Sequence, residues 1–291
     1  MAKSKLMLGT VQFGIEYGIN NKDGVPSIKE VFEILDFAYN NGVRFLDTAE
    51  AYGDSQSVIG KFHLQNNNKF KIVTKFSPLR KDLPNNIKER VLKNLNTLNI
   101  SSLYCYMFHS FLDYKKYFNV FKYDLLHLKK VNKIEKIGVS LHSNEDLVEV
   151  LNDENIDIIQ IPFNLFDNSN QREYYLKLAK KRGIEIHTRS VFLQGLFFKE
   201  IKKLSGNLVY FKEYLKILNR IVKKDQINSV ALNYAYSKNF IDYVLIGVDN
   251  LNHLKSNLNL VDCSVEKEII SKIDKIKVEN NFMLNPVNWI K

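Results

Sequence analysis

The chain has 291 residues, 45% of them hydrophobic and 12% aromatic, which supplies a sizeable core and excludes a disordered chain. The net charge of +10 comes from lysines dispersed along helical stretches such as Ile201-Lys202-Lys203, without the aromatic interleaving of a polyanion-binding face, so no nucleic-acid partner is expected. No signal-type segment follows Met1-Ala2-Lys3-Ser4-Lys5, no apolar run could span a bilayer, and Cys105 and Cys263 fit neither a disulfide framework nor a zinc spacing; a cytoplasmic protein with reduced thiols, no membrane attachment and no metal is expected.

Short β-rich runs alternate with longer helical ones, the pattern of βαβ units and a parallel sheet. A strand is predicted near 7–11, then a helix at 28–40 that opens on Ser27 and Glu30 in capping-box spacing and stops at Asn41-Gly42. Strands at 44–47, 71–75 and 104–108 alternate with helices at 56–62, 87–98 and 123–131. Strands at 136–140, 156–161 and 185–190 follow, with helices at 144–151 and 171–182 between them. A helical stretch at 210–236, expected to be broken, leads to the eighth strand at 243–247 and a helix at 251–258. Eight strands and eight helices make a single-domain (β/α)8, or TIM, barrel over residues 1–291, because doubly wound sheets usually carry fewer strands and a Gly-rich first turn that is missing here. A final helix at 266–275 and the tail to Lys291 follow the barrel after about residue 260, with Trp289 placed either over the mouth or against a helix.

Four residues capable of carbonyl chemistry fall at or just beyond predicted strand ends: Asp47, Tyr52, Lys75 and His109. A parallel barrel gathers its strand ends on one rim, so these four are expected in one site. The other histidines, His63, His127, His187 and His253, show no metal-ligand spacing.

The run Asp47-Thr48-Ala49-Glu50-Ala51-Tyr52-Gly53-Asp54-Ser55-Gln56-Ser57-Val58-Ile59-Gly60 resembles the second-strand signature of the aldo-keto reductase family, with Gln56 where Glu is usual. The resemblance extends from about Leu6 to about Leu260. It implies a nicotinamide-dependent oxidoreductase acting on a small-molecule carbonyl or alcohol. Tyr52 would be the acid/base, Lys75 its tuner, Asp47 the lysine's partner and His109 the orienting donor. The chemistry is coherent: a tyrosine near its ordinary pKa of ~10 is a sluggish acid at neutral pH, and a lysine ammonium beside it favours the phenolate.

The same resemblance implies a cofactor side built from Thr10, Ser140, Gln160, Arg189, Ser190, Gln194, Gly195, Gly247, Asp249, His253 and Asn257. On the cofactor side this chain departs from the family in four places, one of them Ile246 where proline is usual. Leu141 stands where Asn is usual, with His142 one place later; Arg189 replaces an aromatic that stacks on the nicotinamide; Asp249 stands where a partner of the 2′-phosphate is common, unless it caps the following helix. NADP(H) is slightly favoured and NAD(H) remains open. The variants around Arg189 and Ile246 look like a bacterial branch associated with surface-polysaccharide or nucleotide-sugar pathways, which implies a polar, sugar-derived substrate. Two other functions are compatible with the chain: a non-catalytic partner protein on the same fold, as in potassium-channel β subunits, and a polyanion binder.

Overall fold

Strands buried on both faces need one another on the inside and helices on the outside, and closing the sheet on itself meets both needs. The computed structural model describes residues 4–21, 24–80, 85–261 and 263–290. Its strands are β1 (Leu6–Gly9), β2 (Phe45–Asp47), β3 (Lys71–Phe76), β4 (Leu103–Phe108), β5 (Ile134–Ser140), β6 (Ile158–Pro162), β7 (Glu185–Arg189) and β8 (Tyr243–Gly247). All pair in parallel in sequence order, and β1 closes the barrel by pairing Gly9 with both Asp47 and Gly247.

The helices are α1 (Ile28–Asn40), α2 (Ser55–Gln65), α3 (Ile87–Leu98), α4 (Phe111–Lys130), α5 (Asn144–Val150), α6 (Ser169–Lys181), α7 (Lys212–Ile221), α8 (Ile227–Tyr236), α9 (Leu251–Leu260) and α10 (Lys267–Asp274). The capping box at α1 is formed: Ser27 Oγ accepts from Glu30 N–H at 3.3 Å, and Glu30 accepts from Ser27 N–H at 2.8 Å. The main departure from the sequence reading is α4, which begins at Phe111 rather than near residue 123. Ser110 caps it by accepting from Asp113 N–H at 3.0 Å, and Tyr114, Phe118, Leu125 and Leu128 form its buried face. The stretch 210–236 breaks where Val222 turns to an extended conformation, separating α7 from α8.

Two apolar shells hold the barrel. The outer one lies between strands and helices, while Met7, Phe45, Val73, Cys105, Met107 and Ile158 fill the interior. At the N-terminal end of the interior the filling turns polar. Tyr104 Oη donates to Glu185 at 2.7 Å, Lys136 Nζ donates to Tyr104 Oη at 2.7 Å, and buried His187 lies 2.6 Å from Glu185. These groups plug the end away from the site described below. Asn168 Nδ2 ties the α10 region back to the barrel by donating to Ile273 O and Ile276 O at 2.9 and 2.8 Å. Trp289 settles against the α7 side: its ring lies 5.8 Å from Phe211, and its Nε1–H donates to Met283 O at 2.8 Å. Cys105 is buried and Cys263 exposed, both as free thiols. No helix among the described residues is long and apolar enough to cross a membrane.

Candidate active site

Asp47 ends β2, Lys75 lies next to last on β3, His109 directly follows β4, and Tyr52 sits in the turn between β2 and α2. Parallel pairing brings all four to the C-terminal rim. Lys75 Nζ donates to Asp47 Oδ1 and, at 3.3 Å, to Thr48 O; the two charged side chains are only 1% and 4% exposed. Asp47 Oδ2 accepts from Gln160 Nε2 at 2.7 Å, so both carboxylate oxygens are committed. A buried ammonium without such a partner would be costly. The Lys75 ammonium lies 5.2 Å from the centre of the Tyr52 ring, and the His109 ring meets Tyr52 edge-on at 5.8 Å.

Desolvation is the largest influence on Tyr52 and raises its pKa; Lys75 opposes the rise but does not reverse it. The sequence reading expected the lysine to dominate. Burial pulls Lys75 downward, but Asp47 and Tyr52 together outweigh it, so the ammonium is held above its ordinary value. His109 is pushed down to about 3, first by burial and then by Lys75 and Arg189, which leaves a neutral imidazole at physiological pH.

These side chains line one cavity of about 1210 Å3, larger than the roughly 300–1,000 Å3 usual for a single small ligand. Every residue expected on the cofactor side reaches the same cavity. Their hydrogen bonds are more particular than the sequence suggested. The Thr10 hydroxyl is occupied within the protein, donating to Asp47 O at 3.0 Å and accepting from Ser55 Oγ at 2.8 Å. Gln160 gives one of its two amide N–H donors to Asp47, which leaves its second N–H and its carbonyl oxygen to a ligand. Leu141 is fully buried in the core, and His142 fronts the cavity in its place. Arg189 Nη2 donates to His142 Nε2 at 2.8 Å and to Leu141 O at 3.2 Å. Burial, then Arg189 and Arg172, lowers His142 to about 3, so that imidazole is also neutral.

After β7 the backbone is strained. Ser190, Leu193 and Gln194 have φ of 60°, 47° and 52°, a left-handed conformation unusual outside glycine and frequent at ligand clamps. This segment crosses the mouth: Asn20 Nδ2 donates to Gly195 O at 2.7 Å and Gln194 Nε2 to Tyr17 Oη at 2.8 Å. Near β8, Asn250 caps α9 by accepting from His253 N–H at 2.9 Å. Asp249 is therefore not the cap; it faces His253 Nδ1 at 3.5 Å. Asn257, one turn further, is buried and accepts from Asn228 Nδ2 at 3.4 Å.

Gln12, Tyr17, Asn20, Phe111, Phe198 and Val287 also line the cavity and were not found from the sequence, since nothing in a loop residue's type shows which way it points. Gln12 carries the most informative atom. Its buried Oε1 has no hydrogen-bond partner, and it packs so closely on Gly247 that a Cβ there would fall 2.6 Å from Gln12 Nε2. An orphaned acceptor beside bare glycine backbone suits a ligand with polar hydrogens pressed against the first and eighth strands, which is what a dinucleotide offers. Among the described residues no cluster of His, Cys, Asp or Glu could hold a metal.

The sequence model of the Aldo/keto reductase family matches residues 5–278. The chain is 25% identical over 284 residues to aldo-keto reductase str7 of Strobilurus tenacellus, covering 88% of this chain and 83% of that protein. It is 25% identical over 283 residues to aryl-alcohol dehydrogenase GME11368 of Pestalotiopsis microspora, covering 84% and 71%. The holo form of aldo-keto reductase AKR11C1 from Bacillus halodurans superposes with a TM-score of 0.76 at 21% identity, over 95% of this chain and 93% of that one.

Proposed function

Because the chain belongs to the aldo/keto reductase family and is an NAD(P)H-dependent oxidoreductase, we propose that it reduces a sugar-derived carbonyl compound, with Tyr52 as proton donor. The observation that carries the assignment is the buried Lys75–Asp47 pair set beneath the Tyr52 ring, with His109 at its edge. When bound, the nicotinamide supplies the hydride to the carbonyl carbon. Tyr52 Oη–H gives its proton to the carbonyl oxygen, so a C–H and an O–H bond form as the C=O double bond becomes single. Lys75 stays charged and stabilises the phenolate left behind, while Asp47 holds the ammonium in place. Neutral His109 keeps a nitrogen-bound hydrogen to direct at the carbonyl oxygen.

For the cofactor, Ser140 and the side-chain amide of Gln160 would hold the carboxamide, with Arg189 as the residue facing the nicotinamide. The strap at Ser190, Gln194 and Gly195 with Thr10 and Gly247 would hold the middle of a dinucleotide, and Asp249, His253 and Asn257 would hold its adenosine end. NADP(H) is slightly preferred over NAD(H), because α9 presents its N-terminus and His253 to an anion while Asp249 opposes a phosphate. The cavity lining includes both apolar side chains, Phe111, Phe198 and Val287, and polar ones, Asn20, Asp146 and Asn285. That mixture suits a ligand with apolar faces and hydroxyl edges, the surface of a sugar derivative, in line with the polysaccharide-pathway branch its motifs resemble. Cytoplasmic location belongs to the same reading. Oxidation of NADPH in the presence of sugar-derived and simple aryl aldehydes tests it. Turnover of the sugar-derived compounds is expected, and an aryl preference beyond about a hundredfold in kcat/KM would reject the sugar assignment.

A further inference from the structure

The turn 48–54 carries Tyr52 but contains no regular secondary structure of its own, so something outside it must fix where the phenol stands. Glu50, two residues before Tyr52, has a fully buried side chain whose carboxylate is saturated. Oε1 accepts from Asn94 Nδ2 and Tyr106 Oη, each at 2.7 Å. Oε2 accepts from Ser77 N–H at 2.9 Å and from Arg90 Nε and Nη2 at 2.9 and 2.6 Å. Those donors come from the segment after β3, from α3 and from β4. The backbone adds to the staple, with Glu50 N–H donating to Lys75 O at 3.1 Å and Arg80 donating to Glu50 O. Residue 50 is thus fixed to the same strand end that carries Lys75.

The other side of the turn is fixed by contact. A Cβ at Gly14 would fall 1.9 Å from Tyr52 O, and one at Gly53, where φ is 51°, would fall 2.3 Å from Gly14 O. Two bare glycine backbones press together on the far side of Tyr52, leaving the turn no room to move away from the staple.

We propose that Glu50, held by Arg90, Asn94, Tyr106 and Ser77, is a positioning residue that sets the distance between Tyr52 and Lys75. It touches neither substrate nor cofactor and acts through Tyr52, so the inference rests on Tyr52 being the proton donor. A buried ion pair gives little net stability over apolar groups of similar size, so a carboxylate with five donors serves placement better than stability. Displacing a reacting group by about 1 Å can cost on the order of a hundredfold in rate.

The test compares Glu50→Gln, Tyr106→Phe and the charge-neutral pair Glu50→Gln/Arg90→Met. Each is measured for kcat, carbonyl KM, NADPH affinity by fluorescence, the pH dependence of kcat, and melting temperature. Glu50→Gln should lower kcat by about tenfold or more, with KM and NADPH affinity within about twofold and the alkaline limb of kcat moved upward, as Tyr52 escapes the lysine's field. Tyr106→Phe, which removes one donor, should give a smaller change of the same kind. The double variant should recover melting temperature but not kcat. Wild-type kcat in Tyr106→Phe and the double variant, or kcat that recovers together with melting temperature, would overturn the positioning role. Tyr52→Phe separates the two ideas. If it is inactive while the Glu50 variants are fully active, only the positioning role fails; if it turns over normally, the catalytic reading beneath it fails.

Discussion

Lys75 and Tyr52 sit in opposition, the phenol raised by desolvation and the ammonium pulling it back. Lys75→Met removes the pull, so the phenol should hold its proton to still higher pH and the alkaline limb of kcat should move upward as kcat falls; an unmoved limb would mean that another group controls it. Asp249 and His253 offer a second residue-scale test, since the carboxylate faces the imidazole at 3.5 Å. Asp249→Asn should raise affinity for NADPH by about fivefold, near 1 kcal/mol, and leave NADH unchanged. A fluorescence titration giving equal changes for both would remove Asp249 from phosphate discrimination. The four residues at the rim were legible in the sequence because they lie at strand ends, where a parallel barrel leaves no choice of rim. Glu50 stood in the same quoted run without its role being legible, because its five donors come from residues 77 to 106 and only folding brings them together.

At the scale of elements, the strands were readable as short β-rich runs alternating with longer helical ones, and α1 because it announces its cap. The start of α4 was not: the helix was expected only from about residue 123, and it is the Ser110 cap and the burial of Tyr114 and Phe118 that extend it back to Phe111. Arg189, Ser190, Gln194 and Gly195 of the strap were expected on the cofactor side, but its left-handed residues and its bridge to Asn20 emerge only in three dimensions. That bridge is exposed, and a hydrogen bond of this kind contributes about 0.5–1.5 kcal/mol. Asn20→Ala is therefore expected to speed NADPH release by a few-fold in stopped-flow fluorescence without a marked change in melting temperature. Unchanged release would mean that the strap is held shut by its own backbone.

For the whole molecule, acid is the condition that most directly tests the packing. His63 is lowered mainly by burial, and His109 and His142 are lowered to about 3, against 6.5 in an unfolded chain. From pH 6.5 downward the unfolded chain binds protons that the folded one refuses, so stability falls with pH through that window. Glu185 is half-buried; desolvation pushes its pKa up, but His187, Lys136 and Tyr104 outweigh that and hold it at about 2, which adds a second loss as pH drops below about 4.5. Melting temperature should therefore begin to decline near pH 6.5. A flat profile from pH 7.5 to 5 would show that these histidines take up protons without penalty.

The barrel brings Asp47, Tyr52, Lys75 and His109 to one rim, and the central claim is that Tyr52 delivers the proton there. The direct measurement is single-turnover oxidation of NADPH by Tyr52→Phe with a carbonyl substrate that the wild-type protein reduces, alongside NADPH affinity of the same variant. The expected result is a rate reduced by roughly 10²–10⁴-fold, the usual contribution of general acid catalysis, with affinity essentially unchanged. A near-wild-type rate in that variant would contradict the account.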